Sequence, residues 1–340
     1  MRSIARAPLA LVAAGALVLS ACGGEDEAAG FKACQITDTG GIDDRSFNQT
    51  VWEGFQRAEE ELGAEIKYLE STSEADYDPN IQAFIDEGCD VIITVGFLLG
   101  EATERFAQEN PDQAFAIVDF AYETSYDNLQ GIIFNTDEAA FLAGYAAAGM
   151  SETGTIGTWG GINIPTVSVF MDGFLAGANH YNSVKGTDVE VLGWDGTDGV
   201  FIGSFEAADL GNAGTSEMLQ NGADIILPVA GPAGLGAGTA IEDFGSGKLI
   251  WVDTDGYTST DFGSITLTSV EKKMDNATFD VIASVQDGTF AGGNYVGTLE
   301  NAGVGIAPFH DFDSQVPDEL KAELDELRAA IIAGELSTTP

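Results

Sequence analysis

The chain has 340 residues, 44% of them hydrophobic and 43 of them glycine, a composition that excludes a disordered or fibrous protein. Its 55 acidic against 13 basic side chains leave a formal net charge of −42, which excludes nucleic acid and anionic lipid as partners, since both would be repelled. Solubility in a salty or otherwise demanding extracellular setting accounts for the acidity more simply than an acidic functional patch does.

The first segment reads as an export signal. Arg2 and Arg6 form a basic start, and the apolar run from Ala7 to Leu19 is too short to span a bilayer comfortably. It ends in Leu19-Ser20-Ala21-Cys22, which resembles a bacterial lipobox: small residues admit the chain to a signal peptidase, and the thiol accepts diacylglycerol. Residues 1–21 are therefore expected to be a lipoprotein signal peptide, Cys22 the lipidated mature N-terminus, and residues 22–30 a flexible charged tether. Two or more acyl chains make such attachment stable. No later segment is long and apolar enough to be transmembrane, so the rest is expected to be soluble and extracytoplasmic, anchored to the cell membrane by the lipid alone.

From Phe31 onward, strand and helix signals alternate. A strand at 32–37 leads through a Gly-Gly turn to a helix at 46–62, where Phe47, Val51, Phe55 and Ala58 recur at helical spacing and Gly63 sits at the C′ position. Ser46 is positioned to cap that helix. Strands at 65–70, 90–95 and 114–119 then alternate with helices at 78–87 and 99–108. The pattern restarts with a strand at 131–134, a small-residue helix at 138–150, and strands at 155–158, 189–193, 224–229 and 249–252. Helices at 166–181, 205–220 and 235–243 separate these. A strand at 265–269 leads into a helix from 272 to 286, and the chain closes with a strand at 295–299, a turn-rich stretch and a helix after Pro317.

Short apolar runs between amphipathic helices indicate parallel sheets covered on both faces. About 310 mature residues exceed what a single core serves. The fold class expected is α/β, two Rossmann-like lobes with hinge crossovers. One lobe would comprise 31–135 with about 270–293, the other 136–269 with about 294–340. Cys34 and Cys89 stand at the start of apolar strands, and either a disulfide or two buried thiols fits that placement.

In open α/β sheets ligands bind beyond the carboxyl ends of the strands, so two facing lobes place those ends on both walls of one cleft. The residues just after each strand are then the candidates: Asp38, Phe47 and Asn48 after the first, Asp119 after the fourth, and in the second lobe Phe205, Gly231, Asp253, Asp255 and Lys272. Carboxylates, an amide, aromatic rings and one lysine suit a flat polyhydroxylated ligand. Aromatic faces stack on a base, and carboxylates accept from vicinal hydroxyls.

The opening Asp38-x-Gly40-x-Ile42-Asp43-Asp44-x-Ser46-Phe47-Asn48-x-x-x-Trp52-x-Gly54 resembles the signature of the basic membrane protein family, the PnrA-like purine nucleoside receptors of ABC transporters. Six further segments keep the family order: 115–119, 160–178, 203–205, 223–231, 251–255 and 268–273. The resemblance implies the type I periplasmic-binding-protein fold and a purine sandwiched between Phe47 and Phe205. It assigns the base edge to Asn48 and Asp119, and the ribose hydroxyls to Asp253 and Lys272 near the Gly231 backbone. Pro232 departs from the family's small flexible residue, and the Asp253-x-Asp255 loop leaves open which aspartate meets the ribose. The partners implied are a purine nucleoside and an ABC permease, with the receptor acting as a monomer and needing no cofactor.

Enzymatic readings find little support in the sequence. His180 and His310 are the only histidines, without zinc spacing, and Gly245-Ser246-Gly247-Lys248 lacks the Ser or Thr and the earlier glycine of a P-loop. Asp195–Asp198 and Asp253–Gly256 place glycine too early for an EF-hand, so no metal is expected. A sugar or another metabolite as ligand, and a sensor rather than a permease as partner, are the alternatives within the same fold.

Overall fold

The structure, a computed structural model, describes residues 30–340; the expected signal peptide, Cys22 and all but the last residue of the tether lie outside them. In chain order the elements are β1 (Lys32–Thr37), α1 (Phe47–Leu62), β2 (Glu65–Leu69), α2 (Tyr77–Glu87), β3 (Val91–Val95), α3 (Gly100–Glu109), β4 (Ala114–Val118) and β5 (Leu129–Phe134). Then follow α4 (Thr136–Met150), β6 (Thr155–Gly160), α5 (Pro165–Lys185), β7 (Glu190–Leu192), α6 (Ala208–Gln220), β8 (Ile225–Val229), α7 (Leu235–Phe244) and β9 (Lys248–Asp253). The chain ends with α8 (Gly256–Ser259), β10 (Thr266–Lys272), α9 (Met274–Gln286), β11 (Gly293–Gly297), β12 (Val304–Ile306) and α10 (Asp318–Ile332).

Two six-stranded sheets result, in the orders β11-β5-β4-β3-β1-β2 and β12-β10-β9-β8-β6-β7. All pairings are parallel except that of β10 with β12. Each sheet reverses direction once, between β1 and β3 and between β6 and β8. A reversal of this kind opens a crevice at the strand ends where a ligand can enter. The central strands are buried on both faces, as continuous apolar runs require; Val91–Val95 is buried throughout. Between β1 and β3 the sulfurs of Cys34 and Cys89 are joined in a disulfide, with the two Cα atoms 6.1 Å apart.

Helix α4 is buried nearly all round and packs on α5 at glycine-level distance. A Cβ on Gly177 would fall 2.0 Å from the Phe141 carbonyl oxygen, so the two helices can approach this closely only without a side chain there. This pair braces the second lobe beneath the cleft.

Among the boundaries that differ from the sequence expectation, three have a cause in backbone pairing. The helix expected from 205 begins only at Ala208, because the preceding segment is pinned to the end of β6: Ile202 N donates to Gly160 O at 3.0 Å and Gly203 N to Gly161 O at 2.8 Å. Ser204 Oγ then accepts from Glu206 N and Ala207 N, which turns the chain into the helix. Strand β10 continues past Ser269 to Lys272, since β9 and β12 flank it that far. Strand β11 pairs with β5, so the chain belongs to the first sheet up to Gly297 and the second lobe resumes only after it, not at 294. The turn-rich stretch beyond holds β12, which sequence reading did not find.

Candidate functional site

The strand ends of both sheets face a single cavity with an empty volume of about 610 Å³, its mouth included. Asp38, Phe47, Asn48, Asp119, Phe205, Gly231, Asp253 and Lys272 all line it. The walls between them are apolar, with Phe97 and Leu98 from the first lobe and Ile164, Val167 and Phe170 from the second.

One corner is built from β1 and the start of α1. Asp38 follows β1 and lies against Gly96, where a Cβ would come within 2.3 Å of its Oδ2. Asn48 donates from Nδ2 to Asp38 Oδ1 at 3.2 Å, while its own Oδ1 is buried and has no partner. Burial pushes the Asp38 carboxyl well above the usual carboxylate range against the Asn48 bond, and Asp44 and Asp119 add to the rise. The carboxyl group of Asp38 and the unpaired amide oxygen of Asn48 together form a polar edge on the cavity. Phe47 occupies the first position of α1, and Phe205 sits on the opposite wall, where it crowds Gly161 so tightly that a Cβ there would lie 2.5 Å from its ring.

The other corner is ionic. Lys272 is 2% exposed, yet its ammonium lies 2.7 Å from Asp119 Oδ2 and 3.3 Å from Asp253 Oδ1. Burial alone would lower the Lys272 ammonium; the two carboxylates outweigh it and hold the group above the ordinary lysine range. The ammonium also lies over the ring faces of Phe47 at 4.7 Å and Phe170 at 5.3 Å. Asp119 and Asp253 each adopt a left-handed backbone, with φ of 66° and 71°. That conformation is uncommon outside glycine, and aspartate is among the residues that tolerate it best. The chain turns sharply at each strand end, which aims both carboxylates inward.

The lobes also bond directly across the cleft. Gly40 N donates to Glu206 Oε1 at 2.9 Å, Arg45 pairs with Asp261 at 2.9 Å, and Trp251 Nε1 donates to Arg45 O at 3.3 Å. The arrangement is that of a closed receptor.

Asp255 is a correction to the sequence reading. Its carboxylate caps α8 by accepting from Tyr257 N at 3.1 Å and meets His310 Nε2 at 2.7 Å, and it does not line the cavity. One residue past the turn at Thr254 the chain already enters a helix, whose orphan N–H groups claim the side chain. Of the two aspartates only Asp253 faces the ligand space. Sequence reading missed Phe170 and Asp44, which also line the cavity. Phe170 falls on the apolar face of a helix and carries no signal separating cleft from core. Asp44 was legible only as a turn or cap residue.

Two parallel-sheet lobes closed on a cavity at their strand ends define a solute receptor of the type I periplasmic-binding-protein fold. A structure from Aeropyrum pernix K1, described as an ABC transporter system solute-binding protein, superimposes with a TM-score of 0.83 at 27% identity, covering 91% of this chain and 94% of that one. The chain belongs to the Bmp family, ABC transporter substrate-binding protein PnrA-like, whose model matches residues 31–338. It is 31% identical to the ABC transporter nucleoside-binding protein BmpA of Lactococcus lactis subsp. cremoris, over 90% of this chain and 88% of that protein. It is 33% identical to an uncharacterized lipoprotein of Pyrococcus abyssi, over 90% and 79% of the two chains. The protein is accordingly a substrate-binding component of an ABC transporter, not an enzyme.

Proposed function

We propose that the cleft captures a purine nucleoside for import, and that a lipid on Cys22 holds the receptor at the outer face of the cell membrane. The observation that carries this reading is the division of the cavity into two unlike ends. Asn48, with its unpaired buried oxygen, and Asp38 form a polar edge suited to a base, flanked by Phe47 and Phe205. Beside it Asp253 and Lys272 offer a charged acceptor and a donor suited to vicinal hydroxyls, while Asp119, which the family resemblance gives to the base edge, stands between the two groups and pairs with the lysine. The Lactococcus relative is named as a nucleoside-binding protein, which supports the same ligand class, and the lipobox-like Leu19–Cys22 segment supports the anchor.

Calorimetry on Phe47→Ala and Phe205→Ala with inosine, guanosine and adenosine tests the sandwich. Each variant is expected to bind about 5- to 150-fold more weakly, the equivalent of roughly 1–3 kcal/mol for one lost stacking face. Wild-type affinity in both variants, or a wild-type protein that binds pentoses and no nucleoside, overturns the reading.

A further inference from the structure

A serine just ahead of a helix ordinarily gives its side-chain oxygen to the N–H two or three residues on. Ser46 makes no such bond to α1. Asp44 does that work instead, its carboxylate accepting from the N–H groups of Ser46, Asn48 and Gln49 at 3.0, 2.8 and 3.0 Å. The Ser46 hydroxyl is thereby free for another partner. Ser46 is wholly buried, and its hydroxyl donates across the cleft to Asp253 Oδ2 at 2.7 Å, with the Val252 carbonyl oxygen at 3.3 Å.

The other oxygen of Asp253 faces Lys272, which belongs to the same lobe as Asp253 itself. Each oxygen of the carboxylate is thus addressed from a different side, one from within the lobe and one from across the cleft. An ionised carboxylate has about four acceptor positions, so these two contacts leave room for ligand hydroxyls. The Ser46 bond joins two lobes and therefore exists only while they are shut. Without it, one oxygen of Asp253 is unrestrained.

We propose that Ser46 is a positioning residue that sets the Asp253 carboxylate for the sugar hydroxyls upon closure, so that the grip on the ribose is completed by lobe docking. The inference rests on the nucleoside reading for the identity of the ligand but not for the existence of the interlobe bond.

The test is calorimetry with inosine and hypoxanthine on wild type, Ser46→Ala, Ser46→Thr, Asp253→Gly and the Ser46→Ala/Asp253→Gly double variant. Ser46→Ala is expected to weaken inosine about tenfold, as for a lost hydrogen bond to a charged group, while hypoxanthine shifts by less than about twofold. Ser46→Thr, which keeps the hydroxyl, restores the inosine affinity. In the Asp253→Gly background, which removes the acceptor and suits the left-handed backbone at that position, Ser46→Ala adds no further loss, because its action runs through that carboxylate. Equal weakening of both ligands, or losses that multiply in the double variant, overturns the proposal, since either would mean a general structural defect. If the wild type binds neither ligand, the nucleoside reading fails and the same variants are titrated with ribose, which keeps the vicinal hydroxyls without the base. A loss of ribose affinity in Ser46→Ala that Ser46→Thr restores upholds the Ser46 assignment; unchanged ribose affinity, or no binding of ribose by the wild type, sinks it.

Discussion

Lys272 is the residue on which the site's electrostatics turn. It is buried between Asp119 and Asp253, and its removal would leave two carboxylates facing each other out of reach of water. Breaking a buried pair by deleting one partner costs about 3–5 kcal/mol, because the remaining charge is unpaired. Lys272→Met is therefore expected to lower the melting temperature measurably and to open the cleft, while Lys272→Met with Asp119→Asn should recover part of the loss; a single variant as stable as wild type would contradict the account. The strand-end rule made most of this site legible in the sequence, since Asp38 and Asp119 directly follow strands, Asp253 ends one and Gly231 lies two residues past another. Asp44 and Ser46 were harder to read. Both are helix-start residues by type, and only tertiary geometry decides which one caps and which one crosses the cleft. Asp255 failed for a related reason: a local helix start took its carboxylate.

Among the elements, β1 and β3 lie side by side at the reversal of the first sheet, and the disulfide ties them through residues 55 apart in sequence. In the chain-entropy description a closed loop of that length stabilises the fold by about 4 kcal/mol. Denaturant unfolding with and without reductant should show a loss approaching that size, and an unchanged midpoint would mean that the bond adds nothing. The Asp38 corner, at the end of β1, is the part of the site expected to loosen first. Element positions were readable in the sequence because apolar runs and helical spacing alternate cleanly. Element ends were less so. The segment from Phe201 to Ala207 has helix-compatible residues but is held by backbone bonds to Gly160 and Gly161 that no local pattern announces.

The whole molecule carries its −42 formal charge on a surface with few cations to offset it. Mutual repulsion of that size strains the compact state and is screened by salt. Raising sodium chloride from 0.1 to 1 M shortens the screening length from about 10 to about 3 Å. The melting temperature is expected to climb with it, and a flat profile would show that the charges are already compensated locally. The two sheets share one strand order, with β6 to β10 repeating the places of β1 to β5. Asp119 directly follows β4 and Asp253 ends its counterpart β9, so the shared strand order sets two carboxylates with the same left-handed turn at equivalent places. A symmetric pair of that kind would repel itself whenever the halves met. The likeness breaks at the ends of β5 and β10, where one copy ends in Phe134 and the other in Lys272, 5.9 Å from ring centroid to ammonium. A repeated scaffold can thus hold a lopsided ligand because one half carries a cation that the other lacks.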